Sequence, residues 1–181
     1  MVGEVVRARV REVAALVGAR AFIAYVAHEN EVPTDGILAD AVRVGRSVYL
    51  PGGDGGLVAL DTDPQWAGGP GGVVTLVGPH VATVESPGVA VMPLVAWNPA
   101  GVRLGRGAGF FDRLFVTLPA GIVRVGLAYE FQEISDLPRD PWDVPVDFVI
   151  TERRTVRCGA GARALMRPAE AEEEINCHES T

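Results

Sequence analysis

The stretch GVRLGRGAGFFDRLF, residues 101–115, carries the densest set of chemically competent residues in this sequence. It contains three glycines at alternate positions, Gly105, Gly107 and Gly109. Alternate glycines let the backbone approach an anion closely, and successive N–H groups can then form an anion-binding nest. Arg103 and Arg106 can add bidentate, charge-assisted contacts to a phosphate or a carboxylate. Asp112 would lie beside that anion, where a carboxylate can hold a divalent cation that bridges phosphates.

Spacing alone leaves a second interpretation open for this stretch. It matches neither the dinucleotide fingerprint nor the P-loop, and a flexible turn before a helix explains it equally well. In that interpretation Asp112 is an ordinary first-turn residue favoured by the helix dipole. All 16 basic side chains of the sequence are arginines. Schiff-base catalysis and a P-loop lysine are therefore excluded, and any phosphate must be held by arginine and backbone N–H groups.

The composition sets broad limits on fold and function. A chain of 181 residues with 48% hydrophobic content has the length and core of one domain. Its net charge of −7 argues against a broad nucleic-acid footprint, and no apolar run is long enough to span a membrane. The N-terminus has no signal-peptide pattern, and the two cysteines, Cys158 and Cys177, cannot form a metal cluster. These features predict a cytoplasmic protein; they leave its oligomeric state undetermined.

The hydrophobic pattern predicts alternating strands and helices. Helices are expected at 4–17 (ended by Gly18), 35–45 (with Thr34 as a plausible N-cap) and 110–118, and strands at 21–27, 46–52, 57–60, 73–79, 88–97 and 123–131, with one or two more in 147–157. Apart from the strand at 57–60, residues 52–72 are expected to form loops. This order predicts an α/β layered sheet, largely parallel. Residues 1–157 are expected to form the domain, and residues 158–181 a poorly ordered acidic tail.

Four ordered segments resemble the 5-formyltetrahydrofolate cyclo-ligase family, also called methenyltetrahydrofolate synthetases. The segment MPLVAWNPAGVRLGRGAGFFDRLF (92–115) is similar to the family's signature. The others are AFIAYVAHENEVPT (21–34), VGLAYEFQ (125–132) and LPRDPWDVPVDFVITE (137–152). The likeness covers about residues 20–155, and four motifs in the right order are much more specific than one glycine loop.

The resemblance implies a single-domain, three-layer, Rossmann-like α/β fold with a mostly parallel sheet, of the kind found in CoA transferases. It also implies that the formyl oxygen of 5-formyltetrahydrofolate is phosphorylated by Mg-ATP. A ring nitrogen then attacks the formyl carbon, and phosphate leaves to give the methenyl product. Because a formamide oxygen is a poor leaving group, phosphorylation makes the cyclisation possible. Catalysis would consist mainly of positioning and charge neutralisation.

Residue roles follow from the resemblance by position. Arg106 would act at the junction of nucleotide and folate as the catalytic residue, and Asp112 and Asp143 would bind Mg²⁺. The folate would contact Val26, Glu31, Arg106, Phe110 and Phe111. The ATP would contact Arg103, Gly105, Gly107, Ala108, Gly109 and Gln132.

The sequence also departs from the family pattern. Only about twenty residues precede the first strand, so most of the family's N-terminal helix with its Lys-x-x-x-Arg element is expected to be missing. Arg7, Arg9 and Arg11 are the candidates to replace it. Phe110-Phe111 stands where the family has a tyrosine pair, and Trp142 stands where it has a histidine. Trp97-Asn98 replaces a Phe-Asp pair, and Ala108 replaces a residue that is usually Gly or Lys. These changes predict that ATP binds weakly or in a changed pose.

Three functional hypotheses remain open at this point. The first is a cyclo-ligase, or a divergent paralogue that applies the same chemistry to a related substrate. The second is an ATP-independent, folate-binding one-carbon transferase, favoured by the absent lysine and the shortened helix. The third is a non-catalytic folate- or nucleotide-binding protein, in which Trp142 and the phenylalanine pair belong to the core.

Overall fold

The structure is a computed structural model and describes residues 2–53, 55–69, 72–107 and 109–158. Its helices are α1 (Val2–Leu16), α2 (Asp35–Arg43) and α3 (Phe110–Thr117). Its strands are β1 (Ala21–Ile23), β2 (Ser47–Pro51), β3 (Leu57–Ala59), β4 (Gln65–Gly68), β5 (Val74–Val77), β6 (Gly88–Pro93), β7 (Ala96–Trp97), β8 (Arg103–Leu104), β9 (Ile122–Leu127), β10 (Phe148–Ile150) and β11 (Thr155–Arg157). Within these ranges no helix has both the length and the hydropathy that a membrane span requires.

The main sheet has seven strands in the order β11-β10-β9-β6-β1-β2-β3. The five central strands, from β10 to β2, are mutually parallel, and only the two edge strands run antiparallel to their neighbours. The predicted α/β class with a mostly parallel sheet is therefore confirmed. Because the central strands are parallel, their carboxyl ends meet along one edge of the sheet, which is where open α/β sheets place ligands.

Side-chain alternation on the strands produces three layers. Phe22 and Val91 belong to a buried cluster that also contains the apolar residues of α1 and α2. The adjacent residues Ile23 and Met92 belong to a second cluster, which contains the buried residues of α3. Successive strand residues point to opposite faces, so each run of buried residues serves both clusters. The sheet lies between α1 and α2 on one face and α3 on the other.

Several predicted boundaries are wrong. The run at 88–97 is not one strand, because β6 ends at Pro93 and a two-residue hairpin strand, β7, follows and pairs with β8. The run at 123–131 ends as strand at Leu127, and Glu130–Gln132 form a 3₁₀ turn. Strand β1 is three residues long rather than seven, and β4 lies in a segment expected to be loop. Continuous apolar runs give no signal for where ladder hydrogen bonds stop.

The predicted helix-end signals are confirmed at Gly18 but not at Thr34. Gly18 has φ 61°, and the Ala19 N–H donates to the carbonyl of Ala14 at 2.9 Å, so α1 ends at the predicted glycine. Thr34 precedes α2, but its side chain does not cap the helix. Its hydroxyl instead donates to the carbonyl of Tyr25 at 2.7 Å, because Thr34 is fully buried beneath the loop after β1. Cys158 is buried in the core, and the rest of the predicted tail lies outside the described residues.

Candidate active site

A cavity of about 870 Å³ opens at the carboxyl edge of the parallel sheet. Its walls come from the loop after β1, the loop after β2, residues 73 and 75 at β5, residues of the 103–107 and 109–116 segments after β6, and the 138–143 loop before β10. It brings together most of the predicted site residues: Val26, Glu31, Arg103, Gly105, Arg106, Gly107, Gly109, Phe110, Phe111, Asp112 and Asp143. Segments that are far apart in sequence therefore build one site, as expected at the end of a parallel sheet.

One predicted ATP contact among the described residues, Gln132, is not found in this wall. Gln132 lies outside the cavity lining, and its side chain is occupied by backbone groups. Its amide nitrogen donates to the carbonyls of Leu94 and Val95, at 2.8 and 3.1 Å, and its oxygen accepts the N–H of Tyr129 at 2.7 Å. Gln132 thus connects the end of β9 to the end of β6. Ala108 lies outside the described residues.

Arg103 and Asp112 form the buried charge pair of the cavity. The guanidinium Nη2 donates to Asp112 Oδ1 at 2.6 Å, and the Arg103 side chain is 8% exposed. Burial lowers the pKa of Arg103, while the negative charges of Asp112 and Asp143 act in the opposite direction. The guanidinium carbon also lies 5.7 Å from the centre of the Phe115 ring.

One donor of this pair has no acceptor. The Nε atom of Arg103 is buried, and it has no hydrogen-bond partner among the described residues. Buried polar groups are almost always satisfied, so an orphaned donor in a cavity wall indicates a place for an acceptor supplied by a ligand. Because the group is cationic, an anion such as a phosphate oxygen suits it best.

Asp112 and Asp143 reach the cavity from two elements joined by hydrogen bonds. Asp112 lies in the first turn of α3, and its Oδ1 also accepts the N–H of Val144 at 3.1 Å. The carboxylate of Asp143 accepts the N–H of Asp140 at 2.7 Å, which closes a turn in the 138–143 loop. The described residues contain no group of three or more acidic, histidine or cysteine side chains arranged to hold a metal alone. Two carboxylates completed by phosphate oxygens and water are, however, a normal Mg²⁺ environment.

Glu31 and Arg106 form the second charged pair of the cavity. The Nε of Arg106 lies 3.2 Å from Glu31 Oε1, and its Nη2 lies 3.6 Å from Glu29 Oε2. The Glu31 side chain is also oriented by the backbone of His28, because its Oε2 accepts the N–H of His28 at 2.9 Å. Glu29 has φ 53°, an uncommon conformation for a residue with a side chain. Glu31 and the glycine loop are thus linked directly through Arg106.

The glycines of the loop differ in backbone conformation and in the space around them. Gly107 and Gly109 have φ angles of 86° and 60°, which side chains rarely adopt, whereas Gly105 does not have a positive φ. A Cβ added at Gly105 or Gly107 would meet no atom within 4 Å, so both face open space. Gly109 immediately precedes α3. The backbone here is left uncovered and can approach an anion, as the glycine pattern predicted.

The aromatic residues that replace family positions lie at the cavity, which contradicts the idea that all three are core. Phe110 and Phe111 are half-buried and form an edge-to-face pair with centroids 5.1 Å apart. They line the cavity and pack against the core of α3. Trp142 lines the cavity too, and its side chain is mostly exposed.

The arginines of α1 are not brought to the cavity. Arg7 pairs with Asp40, with Nε at 2.7 Å from Oδ2, and Arg11 lies 3.7 Å from the same carboxylate. Arg9 donates to the carbonyls of Thr151 and Arg153. The expectation that these side chains replace the family's phosphate-binding lysine is therefore not supported by their positions.

Sequence reasoning missed several residues of the wall. His28 and Asp140 line the cavity, as do Arg113 and the Pro51–Gly53 segment. His28 had a usable signal, because it lies in the polar loop between β1 and Glu31. The Pro51–Gly53 segment had none, since only the parallel pairing of β1 and β2 brings it beside the loop after β1.

Comparisons with known proteins agree with this architecture. The sequence model of the 5-formyltetrahydrofolate cyclo-ligase family matches residues 3–152. A 5-formyltetrahydrofolate cyclo-ligase of Escherichia coli K12 is 30% identical over 145 residues, covering 70% of this chain and 75% of the relative. One from Mycolicibacterium smegmatis is 26% identical and covers 77% of each chain. One from Mycoplasma pneumoniae is 40% identical over 62 residues, but that alignment spans only 37% of the relative.

Solved structures are also similar. The structure of Aquifex aeolicus 5,10-methenyltetrahydrofolate synthetase superposes with a TM-score of 0.69 at 26% identity, over 86% of this chain and 80% of that one. A 5,10-methenyltetrahydrofolate synthetase from Mycoplasma pneumoniae gives a TM-score of 0.60 at 22% identity, over 83% and 85% of the two chains, which supports the fold alone.

Proposed function

Because this chain belongs to the 5-formyltetrahydrofolate cyclo-ligase family, we propose that it catalyses the ATP- and Mg²⁺-dependent cyclisation of 5-formyltetrahydrofolate to methenyltetrahydrofolate. The family assignment confirms the resemblance found in four sequence segments, and it places the protein among ligases. The substrate, the nucleotide and the metal are the proposal. The observation that carries it is the orphaned Nε of buried Arg103, which lies beside the Asp112 carboxylate in the wall of the cavity.

The phosphate end of the site is formed by Arg103, the glycine loop and the two aspartates. Arg103 would bind a phosphate oxygen through Nε while keeping its contact with Asp112, and the exposed backbone around Gly107 would add N–H donors. Asp112 and Asp143 would hold Mg²⁺ together with phosphate oxygens. When bound, Mg-ATP would supply the phosphoryl group that turns the formyl oxygen into a leaving group.

The folate end is formed by Glu31 and the loop after β1. The Glu31 carboxylate is held by the His28 N–H and by Arg106, and this carboxylate suits the hydrogen-bond donors of a reduced pterin. Val26 and the edge-to-face phenylalanine pair supply the apolar walls that a ring system needs. Arg106 contacts Glu31 from the glycine loop, and from there it would neutralise the charge that develops on the transferred phosphoryl group.

Two observations favour the ATP-independent alternative, a folate-binding transferase. The α1 arginines make their contacts away from the cavity, and Arg106 is paired with acidic residues in this structure. A phosphate would therefore depend on Arg103, on the backbone and on any rearrangement of Arg106. The two alternatives differ in their nucleotide requirement, which a turnover assay measures directly.

The test is product formation from 5-formyltetrahydrofolate, followed by absorbance of the methenyl product with and without Mg-ATP. The proposal predicts that product appears only when ATP and Mg²⁺ are both present, with one ADP formed for each product. Methenyl product formed at the same rate without nucleotide would contradict the ATP requirement, and consumption of 5-formyltetrahydrofolate without nucleotide and without methenyl product would support the transferase. Binding of folate with no product under any condition would support the non-catalytic alternative.

A further inference from the structure

Two apolar side chains stand exposed at the cavity beside its carboxylates. Trp142 is 70% exposed and Val116 is 78% exposed, yet both line the cavity. Trp142 makes no ring-to-ring contact with the aromatic side chains of the described residues. An exposed indole at the mouth of a polar site leaves a large apolar area in water, and such areas commonly mark places where a ligand binds.

Both residues lie close in the chain to the proposed metal ligands. Val116 follows Asp112 by four residues on α3, so it lies one helical turn further along the same side. Trp142 immediately precedes Asp143. A group bound between these apolar side chains would therefore adjoin the phosphate and metal end of the cavity.

The backbone that carries Trp142 is fixed on both sides. The N–H of Asp140 donates to Asp143 Oδ2 at 2.7 Å, and the N–H of Asp143 donates to the carbonyl of Asp140 at 3.1 Å. The next residue, Val144, donates its N–H to Asp112 at 3.1 Å. This turn fixes the backbone that carries the indole next to Asp143 before any ligand binds, which removes part of the entropic cost of using Trp142 as a contact.

We infer that Trp142, with Val116, forms the platform on which the base of the bound nucleotide stacks. This inference rests on the proposed function, since it requires a nucleotide whose phosphates lie at Arg103 and at the two aspartates. The base is tethered to those phosphates through the ribose, so it must lie near the metal end of the cavity. Stacking on an aromatic face is favourable for every base, and it makes little distinction between their polar edges. Trp142 is thus a binding residue for a planar, heteroaromatic ring, and it does not select between the bases.

The experiment compares Mg²⁺ complexes of ATP, GTP and tripolyphosphate, which has no base, by isothermal titration. Trp142→Ala should raise the Kd of ATP and of GTP by a similar factor, about 5- to 150-fold, and leave tripolyphosphate binding unchanged. Trp142→Phe keeps an aromatic face and should recover most of the loss. Trp66→Ala removes a 46% exposed indole on β4, outside the cavity lining. This control should leave the affinities for all three ligands unchanged.

Trp142 also provides a signal that does not depend on turnover. In a Trp66→Phe background the remaining indoles are Trp142 and the fully buried Trp97. Mg-ATP should then quench tryptophan fluorescence at saturation, and Trp142→Phe should abolish that change.

Three results would overturn the inference. Unchanged ATP affinity in Trp142→Ala would show that the indole does not contact the base. An equal loss of tripolyphosphate affinity would mean that the substitution disturbs the metal loop. A loss confined to 5-formyltetrahydrofolate would assign the platform to the folate ring. In the first and third cases, wild-type turnover with ATP would leave the proposed function standing; absence of any wild-type Mg-ATP binding would remove both.

Discussion

Two arginine–carboxylate clusters lie on opposite sides of the sheet, one between α1 and α2 and the other at the cavity. In the first, which we call the Asp40 cluster, the carboxylate is 5% exposed and accepts three short hydrogen bonds. They come from Arg7 at 2.7 and 2.8 Å and from Arg43 at 2.8 Å. These contacts hold the pKa of Asp40 far below its ordinary range. In the second, the Arg103–Asp112 pair, one contact of 2.6 Å is made and the Nε of Arg103 has no partner.

The difference shows how the same side-chain chemistry serves two purposes. The Asp40 cluster has its charges matched within the fold and connects two helices over the core. The Arg103–Asp112 pair is incompletely satisfied, and it lies against a cavity bordered by glycines. A buried donor without an acceptor carries a desolvation cost that a bound anion would remove. Completeness of pairing, rather than burial or charge, thus separates the structural cluster from the one proposed to bind ligand.

The largest expected effect comes from Asp112→Asn. The amide oxygen can still accept the N–H of Val144, so the loop should keep its position while the proposed metal ligand loses its charge. We expect turnover to fall by about 100- to 1000-fold at fixed Mg²⁺, with partial recovery at high Mg²⁺. The assay is methenyl product formation over a Mg²⁺ titration.

Asp140→Asn is the matched control, because Asp140 lines the same cavity but is not a proposed ligand. It should change turnover by only a few fold. If the two variants behaved alike, the assignment of the metal to Asp112 and Asp143 would be wrong.

The second-largest effect is expected for a substitution in the Asp40 cluster. Asp40→Asn removes the charge that two arginines contact at less than 3 Å, and we expect Tm to fall by roughly 5 °C at pH 7. The Kd for Mg-ATP should stay within twofold of the wild type, because the cluster does not border the cavity. A change in Kd without a change in Tm would contradict the division between the two clusters.

The pH dependence of that stability difference follows from the pKa. Since the folded pKa of Asp40 lies below its unfolded value, the charged form stabilises the protein above the unfolded pKa of about 4. This contribution is lost as the pH falls through the folded pKa. The Tm difference between wild type and Asp40→Asn should therefore be constant from pH 8 to pH 5 and shrink only below about pH 4. Loss of the difference near neutral pH would contradict the pairing.

A smaller effect is expected for Glu31→Gln at the folate end. The amide keeps an acceptor for the His28 N–H but loses the charge that faces Arg106. We expect KM for 5-formyltetrahydrofolate to rise about tenfold, with a smaller change in kcat. Steady-state kinetics with saturating Mg-ATP separates the two constants. A change in the KM for ATP alone would place Glu31 on the nucleotide instead.

The smallest effect compares two glycines of the loop. Gly107 has φ 86°, so Gly107→Ala should cost about 1 kcal/mol of folding free energy through backbone strain. Gly105 faces equally open space without a positive φ, so Gly105→Ala should be close to neutral. Urea unfolding of both variants measures the difference. Equal stability of the two would show that the loop relaxes.

Much of the fold was predictable, and the failures have identifiable causes. Apolar runs located the central strands, and Gly18 located the end of α1, because both signals are local. The break after Pro93 was not predictable, since Met92, Leu94 and Trp97 are all buried while the ladder ends between them. The cavity residues Glu31 and Asp112 could be named from motifs. Their pairing partners could not, because those depend on which loops the parallel strands bring together.

The positions of the arginines were the hardest to predict. Composition showed that arginine must carry every basic role, and Arg7, Arg9 and Arg11 were the candidates for binding phosphate. In the structure they contact Asp40 and backbone carbonyls near β10, because α1 packs beside α2 and also contacts that strand. Periodicity places a side chain on one face of a helix, but it does not identify the element that this face meets.

The most direct test of the account is titration of Mg-ATP into the wild type and into Arg103→Met, which removes the orphaned Nε with a side chain of similar length. We predict binding by the wild type and a loss of at least tenfold in affinity for Arg103→Met. Circular dichroism should show an unchanged fold. Equal affinity in both proteins, or no heat from the wild type at millimolar ATP, would contradict the claim that this unsatisfied arginine marks a phosphate site.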